Sequence, residues 1–349
     1  MMKKSVFVLS LLVLLLFLTA CGKPAVTQSV SEKPAATETI VITDQLGRQV
    51  EIPRHVQRIA ALDHFEGYIV FALGQQDKLV HQALYNKLGQ AMVKTDPDFR
   101  AKPQLRQNQK TITTESLAAL SPQIVFINTS FDKRQLTQFE SAGLKVIALK
   151  GETLADSYAA VSLVAKVLNC EERGKEYIAA CDRWLQLVKE RISSIPDGQR
   201  PKVLFSGPRD IFSVATRDML QTSMIEAAGG VNAAAELAGY WVTVSPEQIA
   251  AWNPDVIFLG STLDAYTPDT LYANPHFAGV KAVQNKRVYS FPSNIGWWDY
   301  PAPSHVLGTV WAAKALYPDK FNDIDMLKMA DDFYRQFLGR SFTELGGKL

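Results

Sequence analysis

The chain has 349 residues, of which 47% are hydrophobic, and it carries 37 Lys and Arg residues against 35 Asp and Glu residues. Removal of Lys3 and Lys4 with the N-terminal segment described next leaves 35 residues of each sign. This balance, without any run of basic residues, argues against nucleic acid and against a basic membrane-binding surface. Roughly 300 residues remain for folding, which exceeds the usual single core and predicts two lobes.

The N-terminal residues have the pattern of a bacterial lipoprotein export signal. Met1–Lys4 carry two positive charges, Ser5–Phe17 form an apolar run with two serines, and Leu18–Ala20 precede Cys21. The run is too short and too close to the terminus for a comfortable membrane span. We expect residues 1–20 to be a cleaved signal peptide and Cys21 to carry the lipid that attaches the protein to the outer face of the cell membrane. A signal anchor with a chance cysteine is the alternative.

Residues 21–38 form a predicted leash behind this lipid. They are rich in Pro, Ala, Ser, Thr and Lys and contain almost no large apolar side chain. Such a stretch cannot bury enough surface to offset the entropy lost on ordering, so a flexible tether is expected. Whether the tether stands on a Gram-positive surface or in a Gram-negative periplasm stays open from these residues.

Strand and helix patterns alternate through the first half of the folded body. Two alternating runs, Thr39–Thr43 and Gln49–Pro53, flank an Asp/Gly turn and predict a β-hairpin. The elements expected after the hairpin are strands over 58–62, 79–83, 123–127 and 145–149, and a helix over 66–73. This alternation predicts a mostly parallel sheet with helices on its faces.

A long amphipathic helix separates this half from the next. Its apolar stripe consists of Tyr177, Cys181, Trp184, Val188 and Ile192. The 3.6-residue period predicts a helix from 171 to about 194, which would span ~36 Å. Strands over 202–206, 255–260 and 287–292 follow it.

The predicted organisation is therefore an N-terminal lobe over 39–169, a connecting helix over 170–195 and a C-terminal lobe over 200–345. The predicted fold class is α/β, with two Rossmann-like lobes of mostly parallel sheets and a ligand cleft between them. Because one long helix joins the lobes, only a small closure is expected on binding.

An internal repeat relates the two lobes. Thr113–Ile127 and Ser245–Leu259 align without a gap, and each predicts a short helix with a Thr or Ser N-cap, a proline stop and a buried strand. Glu115 and Glu247 occupy the same place in the first helical turn. Interaction with the helix dipole explains each acid singly. It does not explain why both lobes present the acid at one equivalent position.

The lipoprotein motif, the hairpin, Ala72-Leu73-Gly74, both repeat copies, Ala228–Asn232 and the long helix occur in a specific order and spacing. In these features, over about residues 39–338, the chain resembles the substrate-binding lipoproteins of bacterial ABC importers for ferric siderophores, haem and cobalamin. The resemblance implies an extracytoplasmic protein that captures a metal chelate, with a ferric siderophore as the expected ligand, and delivers it to an ABC permease dimer. It also implies that Glu115 and Glu247 meet arginines on the two permease subunits.

An enzymatic function has little support in the sequence. No Gly-x-Ser-x-Gly elbow, phosphate-binding glycine loop or His-Glu-x-x-His motif occurs. We therefore expect no catalytic residue and no resident cofactor. We also expect the protein to work as a monomer. An enzyme with a chelated metal at the cleft, or a free-standing structural lipoprotein, stays open as an alternative.

Loops at the carboxyl ends of parallel strands are expected to face the ligand across the cleft. The residues expected to bind it are Asp63, His64, Tyr85, Arg209, Tyr240, Trp241, Trp297, Trp298 and Tyr300. Arg209 can make bidentate contacts with carboxylate or catecholate oxygens, and the tryptophans offer flat contact area. These groups suit a bulky Fe(III) chelate with an anionic rim. A core position for one of the two adjacent tryptophans is the competing interpretation.

A directly coordinated metal ion, such as nickel, is an alternative ligand, as are cobalamin and haem. The chain has five histidines, and none forms a pair at the spacing of metal ligands. His64 is the one that would ligate a metal if the ion is coordinated directly. A lone histidine is more often a hydrogen-bonded structural residue, and the sequence alone does not name the ligand.

Overall fold

Strands and helices alternate along the chain in the computed structural model, which describes residues 38–83, 87, 89–90, 97–105, 112–263 and 265–349. The predicted signal peptide, Cys21 and the leash up to residue 37 lie outside the described residues, as does Tyr85. The predicted α/β class with mostly parallel sheets is confirmed.

The described strands are β1 (Thr39–Thr43), β2 (Gln49–Pro53), β3 (Ile59–Ala61), β4 (Ile124–Asn128), β5 (Val146–Leu149), β6 (Lys202–Ser206), β7 (Ser213–Val214), β8 (Val231–Asn232), β9 (Val242–Thr243), β10 (Val256–Leu259) and β11 (Val288–Ser290). The described α-helices are α1 (His64–Ala72), α2 (Pro97–Ala101), α3 (Thr114–Ala118), α4 (Lys133–Ser141), α5 (Leu154–Val167), α6 (Glu171–Ile192), α7 (Leu220–Ala227), α8 (Pro246–Trp252), α9 (Pro268–Tyr272), α10 (Lys281–Gln284), α11 (His305–Leu316) and α12 (Met326–Leu338). Short 3₁₀ turns occupy Gln76–Lys78, Asp197–Gln199, Pro275–Phe277 and Pro318–Lys320.

The sheet of the first lobe consists of the parallel strands β3, β4 and β5, in that order. Residues 59–61, 124–127 and 146–149 are all buried, because helices cover both faces of a parallel sheet and leave no solvent side. The predicted hairpin is confirmed at both strands, with Ile40 opposite Ile52. The buried Asp44 carboxylate docks the hairpin on β5 by accepting a hydrogen bond from the backbone N–H of Ala148 (3.1 Å), and a bond from Arg48 Nε (2.9 Å) holds it within the hairpin.

The prediction of a strand over 79–83 is wrong. Only Leu79 makes a β-bridge, to Ile59, and the pairing ends there. The reason is His81, whose ring Nε2 accepts the backbone N–H of Ala61 at 3.2 Å and takes the place of a carbonyl in the ladder. The backbone N–H of Gln82 then turns away and donates to Pro103 O at 2.9 Å. The His81 side chain thus takes the backbone hydrogen bond that would have extended a strand here, although the apolar pattern favours one.

The second sheet is mixed rather than purely parallel. Strands β8, β6, β10 and β11 are parallel, and β7 and β9 add antiparallel pairs along one side. Of these strands, only β6, β10 and β11 were expected from sequence. The other three have two residues each, which is too short to generate a periodic pattern.

Helix α6 lies between the two sheets in the chain and is anchored in a core that contains residues of both lobes. A single hydrophobic cluster includes Phe126 of the first sheet, Tyr177 of α6 and Phe258 of the second sheet. The buried Tyr177 hydroxyl donates to Pro303 O at 2.7 Å. Because this core is continuous, separation of the lobes would expose apolar surface, which favours a small closure. In the described part of the chain, no helix is long and apolar enough to cross a membrane.

Candidate ligand-binding site between the lobes

The carboxyl ends of the two sheets meet at a cleft. Asp63 follows β3 and Glu152 follows β5, while the second lobe contributes residues 291–301, called the cleft loop, directly after β11. The rings of His64 and Trp297 are 5.8 Å apart in an edge-to-face arrangement and so join the two sides. The structure therefore brings Asp63, His64 and Trp297 into one region, as parallel strand ends in an α/β fold require.

Asp63 is the N-cap of α1, whose first residue is His64. The helix therefore begins two residues before residue 66, where the apolar pattern predicts its start. The Asp63 carboxylate accepts hydrogen bonds from the backbone N–H of His64 (2.7 Å) and from Asn128 Nδ2 (3.1 Å), while Glu66 accepts the Asp63 N–H in return. This capping box fixes the start of the helix. It places His64 in the first helical turn, half-buried, with its ring toward the second lobe. Asp63 thus holds the site together, whatever else it binds.

Aromatic rings contact one another in a row along the cleft. The Trp297 ring is 5.3 Å from the Tyr300 ring and 5.8 Å from His64, and His64 is 6.3 Å from Tyr68. Trp297 and Tyr300 are half-buried, so part of each ring is open to solvent. Such partly exposed rings offer a large contact area to a ligand with little loss of side-chain entropy.

Trp298 is not a ligand contact, and its place in the predicted site is wrong. It is fully buried, its Nε1 donates to the Tyr334 hydroxyl at 3.3 Å, and its ring lies 5.5 Å from Phe342. The two adjacent side chains point to opposite faces of the cleft loop. One of them must therefore enter the core when the other reaches the cleft, and Trp298 has the buried hydrogen-bond partner that an indole N–H requires.

Two phenols stand near two carboxylates in this cleft. Burial raises the pKa of Tyr300, and the charges of Asp63 and Glu152 raise it further. Although Tyr240 is 61% exposed, loss of water around its hydroxyl and the same two carboxylates raise its pKa as well. Both hydroxyls therefore keep their protons at neutral pH and act as hydrogen-bond donors.

Glu152 is a cleft residue that the sequence reasoning missed. It is half-buried beside Tyr240 and Tyr300, and burial raises its pKa, against the opposing effect of Lys150. The signal was present, because Glu152 lies three residues after the predicted strand 145–149. The rule that loops after parallel strands face the ligand points to Glu152 as it does to Asp63.

Asp299 ties the cleft loop to the end of β10. Its carboxylate accepts hydrogen bonds from the Ser261 backbone N–H (2.8 Å) and from the Ser261 hydroxyl. Burial raises the pKa of Asp299 to about 6, while the bonds from Ser261 oppose that rise. Gln221 Nε2 donates to the Asp299 carbonyl at 2.7 Å. This buried network fixes the backbone next to Tyr300.

The lobes touch at the base of the cleft. A Cβ atom added to Gly151 would lie 2.8 Å from Pro301 Cβ and 3.0 Å from Phe65 Cζ. Nearby, the Leu154 N–H approaches the Ser223 hydroxyl at 3.5 Å. Only glycine allows the backbone after β5 to pass this close to the cleft loop.

Two other predicted ligand contacts differ in their surroundings. Arg209 follows β6, is exposed, and makes no hydrogen bond or ion pair with the residues that the structure describes. Trp241 is half-buried, with its ring 6.3 Å from Phe205 and its backbone N–H 3.3 Å from Met219 Sδ. Arg209 is thus available to a ligand, whereas Trp241 is partly engaged in the second-lobe core.

No group of three or more His, Cys, Asp or Glu side chains in the described part of the chain is arranged to hold a metal ion. The His64 ring instead contacts the rings of Tyr68 and Trp297.

Glu115 and Glu247 occupy equivalent local structures, one in each lobe. Each is the second residue of its helix, behind an N-cap whose hydroxyl accepts a backbone N–H: Thr113 from Ser116 (3.1 Å) and Ser245 from Gln248 (3.2 Å). Both acids are exposed. Hydrogen bonds from its own backbone N–H and from Ser245 lower the pKa of Glu247.

The repeat extends to the backbone conformation at the end of each helix. Ser121 and Asn253 are equivalent positions of the two copies, and their φ angles are +46° and +43°. Left-handed backbone is uncommon for residues other than glycine. Each precedes a proline, which disfavours right-handed helix at the residue before it. The two lobes therefore present their acids from the same local fold.

Comparison with known proteins decides the family. A family model described as periplasmic binding protein matches residues 59–295. The chain belongs to the periplasmic binding protein family. Its relatives are substrate-binding proteins of ABC importers, which are transport proteins and not enzymes.

The family relatives differ in the ligands that their names give. The molybdate-binding protein MolA of Haemophilus influenzae is 29% identical over 86% of this chain and 92% of its own length. Two Bacillus subtilis proteins are also similar: the ABC transporter substrate-binding lipoprotein YvrC (22% identity, 90% and 97% coverage) and the Fe(3+)-citrate-binding protein YfmC (23% identity, 82% and 89% coverage). The solved structure of MolA bound to molybdate superposes with a TM-score of 0.74, at 27% identity, over 86% of this chain and 98% of that one.

Proposed function

We propose that this periplasmic binding protein captures a ferric siderophore in the cleft between its lobes and delivers it to an ABC permease. The observation that carries the proposal is the aromatic surface of His64, Trp297 and Tyr300. Flat, partly exposed rings suit the organic shell of a chelate, whereas a bare ion offers them nothing to contact. Iron chelates are also named as ligands among the relatives, in YfmC.

The charges in the cleft favour a chelate with a neutral or positively charged rim. The groups that raise the pKa of both Tyr240 and Tyr300 include Asp63 and Glu152, so the phenols sit in a negative field. An anionic rim, as expected from Arg209, would be repelled by these two carboxylates. Ferric hydroxamates, which lack the negative charge of ferric catecholates, therefore fit this cleft better.

The permease is proposed to dock on Glu115 and Glu247. Both carboxylates are exposed and present the same local fold to a partner. A pair of equivalent acids suits a permease dimer that presents two equivalent basic sites. Charge pairs of this kind steer encounter and set the register of docking more than they add affinity.

The proposed site of attachment to the membrane is a lipid on Cys21. The apolar run before Leu18-Thr19-Ala20-Cys21 supports it, and YvrC is named as a lipoprotein. A lipid and a leash would hold the monomeric protein near its permease at high local concentration.

Molybdate is the second candidate ligand. The similarity to MolA over 86% of the chain favours it. The Tyr240 and Tyr300 hydroxyls and the unpaired Arg209 could donate hydrogen bonds to its four oxygens. Against it stands the negative charge of Asp63 and Glu152, which a bare dianion would meet without any organic shell.

A titration of tryptophan fluorescence tests the proposal. The soluble body from residue 39 would be titrated with a ferric hydroxamate, a ferric catecholate, ferric citrate, haem, cobalamin, molybdate and Ni²⁺. We expect saturable quenching by the ferric hydroxamate at the lowest concentration, and loss of most of that signal in Trp297→Phe. Tighter binding of molybdate would replace the chelate with the second candidate, and a response to Ni²⁺ alone would move the ligand to a directly coordinated ion at His64.

A further inference from the structure

The cleft loop is supported from behind by the C-terminal segment, defined here as residues 341–349. The loop presents Trp297 and Tyr300 to the ligand side, where Trp297 meets His64. Its Asn294 and Trp298 side chains instead contact the C-terminal segment. The contacts between loop and segment therefore add to the Asp299 network in holding the two ligand-facing rings in place.

Asn294 makes the polar part of this contact. Its Nδ2 donates to the Gly346 carbonyl at 2.8 Å, and its Oδ1 accepts the Lys348 backbone N–H at 2.5 Å. One amide side chain thus satisfies a donor and an acceptor of the same stretch of backbone, in the manner of a β-bridge. Asn294 is exposed, so burial does not compel these two bonds to form.

Trp298 makes the apolar part. Its ring packs on the fully buried Phe342 at 5.5 Å. The segment then closes tightly over Phe342, because a Cβ atom added to Gly347 would lie 2.5 Å from the Phe342 ring. The backbone from 342 to 348 is thereby held at a fixed distance from the cleft loop, with little room for an alternative packing.

We propose that Asn294 is a positioning residue for the ligand site. Its two hydrogen bonds to the C-terminal segment hold the cleft loop so that Trp297 and Tyr300 face the ligand. The inference rests on the proposed function for its effect on binding, but the position of Trp297 can be measured without any ligand. The contact of Asn294 with Gly346 and Lys348 would then raise ligand affinity without touching the ligand.

Fluorine NMR on the 349-residue chain labelled with 5-fluorotryptophan measures that position. The chain contains six tryptophans, and Trp297→Phe and Trp184→Phe assign the two signals needed. In Asn294→Ala we expect the Trp297 signal to shift or broaden while the Trp184 signal, on α6, stays unchanged. We expect the affinity for a ferric hydroxamate to fall about fivefold, as two lost exposed hydrogen bonds would produce.

Two further variants separate positioning from a general loss of structure. Asn274→Ala is the control, because the half-buried Asn274 also accepts a backbone N–H, that of His276 at 3.0 Å, outside the cleft loop. It should leave the Trp297 signal and the affinity unchanged. Asn294→Asp keeps the acceptor for Lys348 and loses the donor to Gly346, so both effects should be intermediate.

An unchanged Trp297 signal in Asn294→Ala would overturn the inference, and so would a shifted signal with unchanged affinity. If the Trp184 signal also shifts or broadens, Asn294 supports the whole fold rather than the cleft loop. That result would overturn the inference as well. If the unsubstituted protein binds no ligand of the panel, the proposed function fails instead. The Trp297 signal still decides in that case whether Asn294 positions the loop.

Discussion

Trp297 is the proposed aromatic anchor for the ligand, since its ring contacts both His64 and Tyr300. We expect Trp297→Ala to lower the affinity for the bound chelate by about tenfold or more, because a truncated aromatic anchor loses both area and water exclusion. Isothermal titration calorimetry measures this. Trp184→Ala, at a half-buried position of α6, is the control and should retain the affinity; equal losses in both variants would contradict the assignment.

We propose that the charge of Glu152 selects which ligands the cleft accepts. Removal of its charge in Glu152→Gln should raise the affinity for molybdate about fivefold and should not raise that for a neutral ferric hydroxamate, because only the anion feels the repulsion. Competition titrations at pH 8 would compare the two ligands. Glu226→Gln, at an exposed position of α7, serves as the control. A gain of equal size for both ligands would show that the charge of Glu152 does not select between them.

His305 links stability to pH. Its ring is buried, with Nδ1 at 2.6 Å from the Ala302 carbonyl, and burial lowers its pKa from 6.5 to about 4. Below pH 6.5 the unfolded chain takes up a proton that the folded chain refuses until about pH 4. The free energy of unfolding should therefore fall as pH drops through this window, by up to roughly 3 kcal/mol.

His305→Gln should remove that dependence, and urea unfolding of both proteins between pH 4 and pH 7 measures it. Asp299 acts in the opposite sense, because its folded pKa is about 6 against 3.8, so that the folded chain holds the extra proton as pH falls. Asp299 is present in both proteins, and its contribution cancels in the difference between them. Parallel pH profiles would refute the role of His305.

At the level of elements, the contact of Gly151 with Pro301 and Phe65 sets how closely the lobes approach. Gly151→Ala should lower the free energy of unfolding by about 1–3 kcal/mol through overpacking and should weaken ligand binding by displacing the cleft loop. Urea unfolding and titration of the same sample report both. A Cβ atom added to Gly279 has no atom within 4 Å, so Gly279→Ala should change neither; a stable Gly151→Ala with full affinity would contradict the close contact.

Elements with their own periodic signal could be predicted, and those decided by single side chains could not. The hairpin, α6 and the repeated helices α3 and α8 follow from alternation, from an apolar stripe and from N-cap residues, all of which act locally. The false strand at 79–83 failed because the ring of His81 takes a backbone partner. No periodicity records such a substitution, because it depends on a contact with β3, twenty residues away in sequence.

The same division applies to the candidate site. Strand ends point to Asp63, His64 and the cleft loop, since the topology of a parallel sheet fixes which edge they share. It does not decide which of Trp297 and Trp298 faces the core, because that depends on Tyr334 and Phe342 from the far end of the chain.

For the whole molecule, two lobes share one continuous core that includes α6. The boundaries expected at 169, 195 and 200 stay predictions, as does the small closure on binding. The continuous core explains why a ligand would be held by local adjustment of loops rather than by a wide hinge motion.

The most direct test of delivery to a permease is the double reversal Glu115→Lys with Glu247→Lys. Both acids are exposed and lie on α3 and α8 rather than in the loops that carry the proposed cleft side chains, so the purified variant should bind the ligand with unchanged affinity. Uptake of the radiolabelled ligand by cells whose own copy is replaced by the variant should fall at least about tenfold, because both docking charges are reversed. Glu190→Lys with Glu226→Lys makes the same change in net charge at other exposed positions and should transport normally. Normal uptake by the Glu115 and Glu247 variant, or loss of its ligand affinity, would contradict delivery through these two acids.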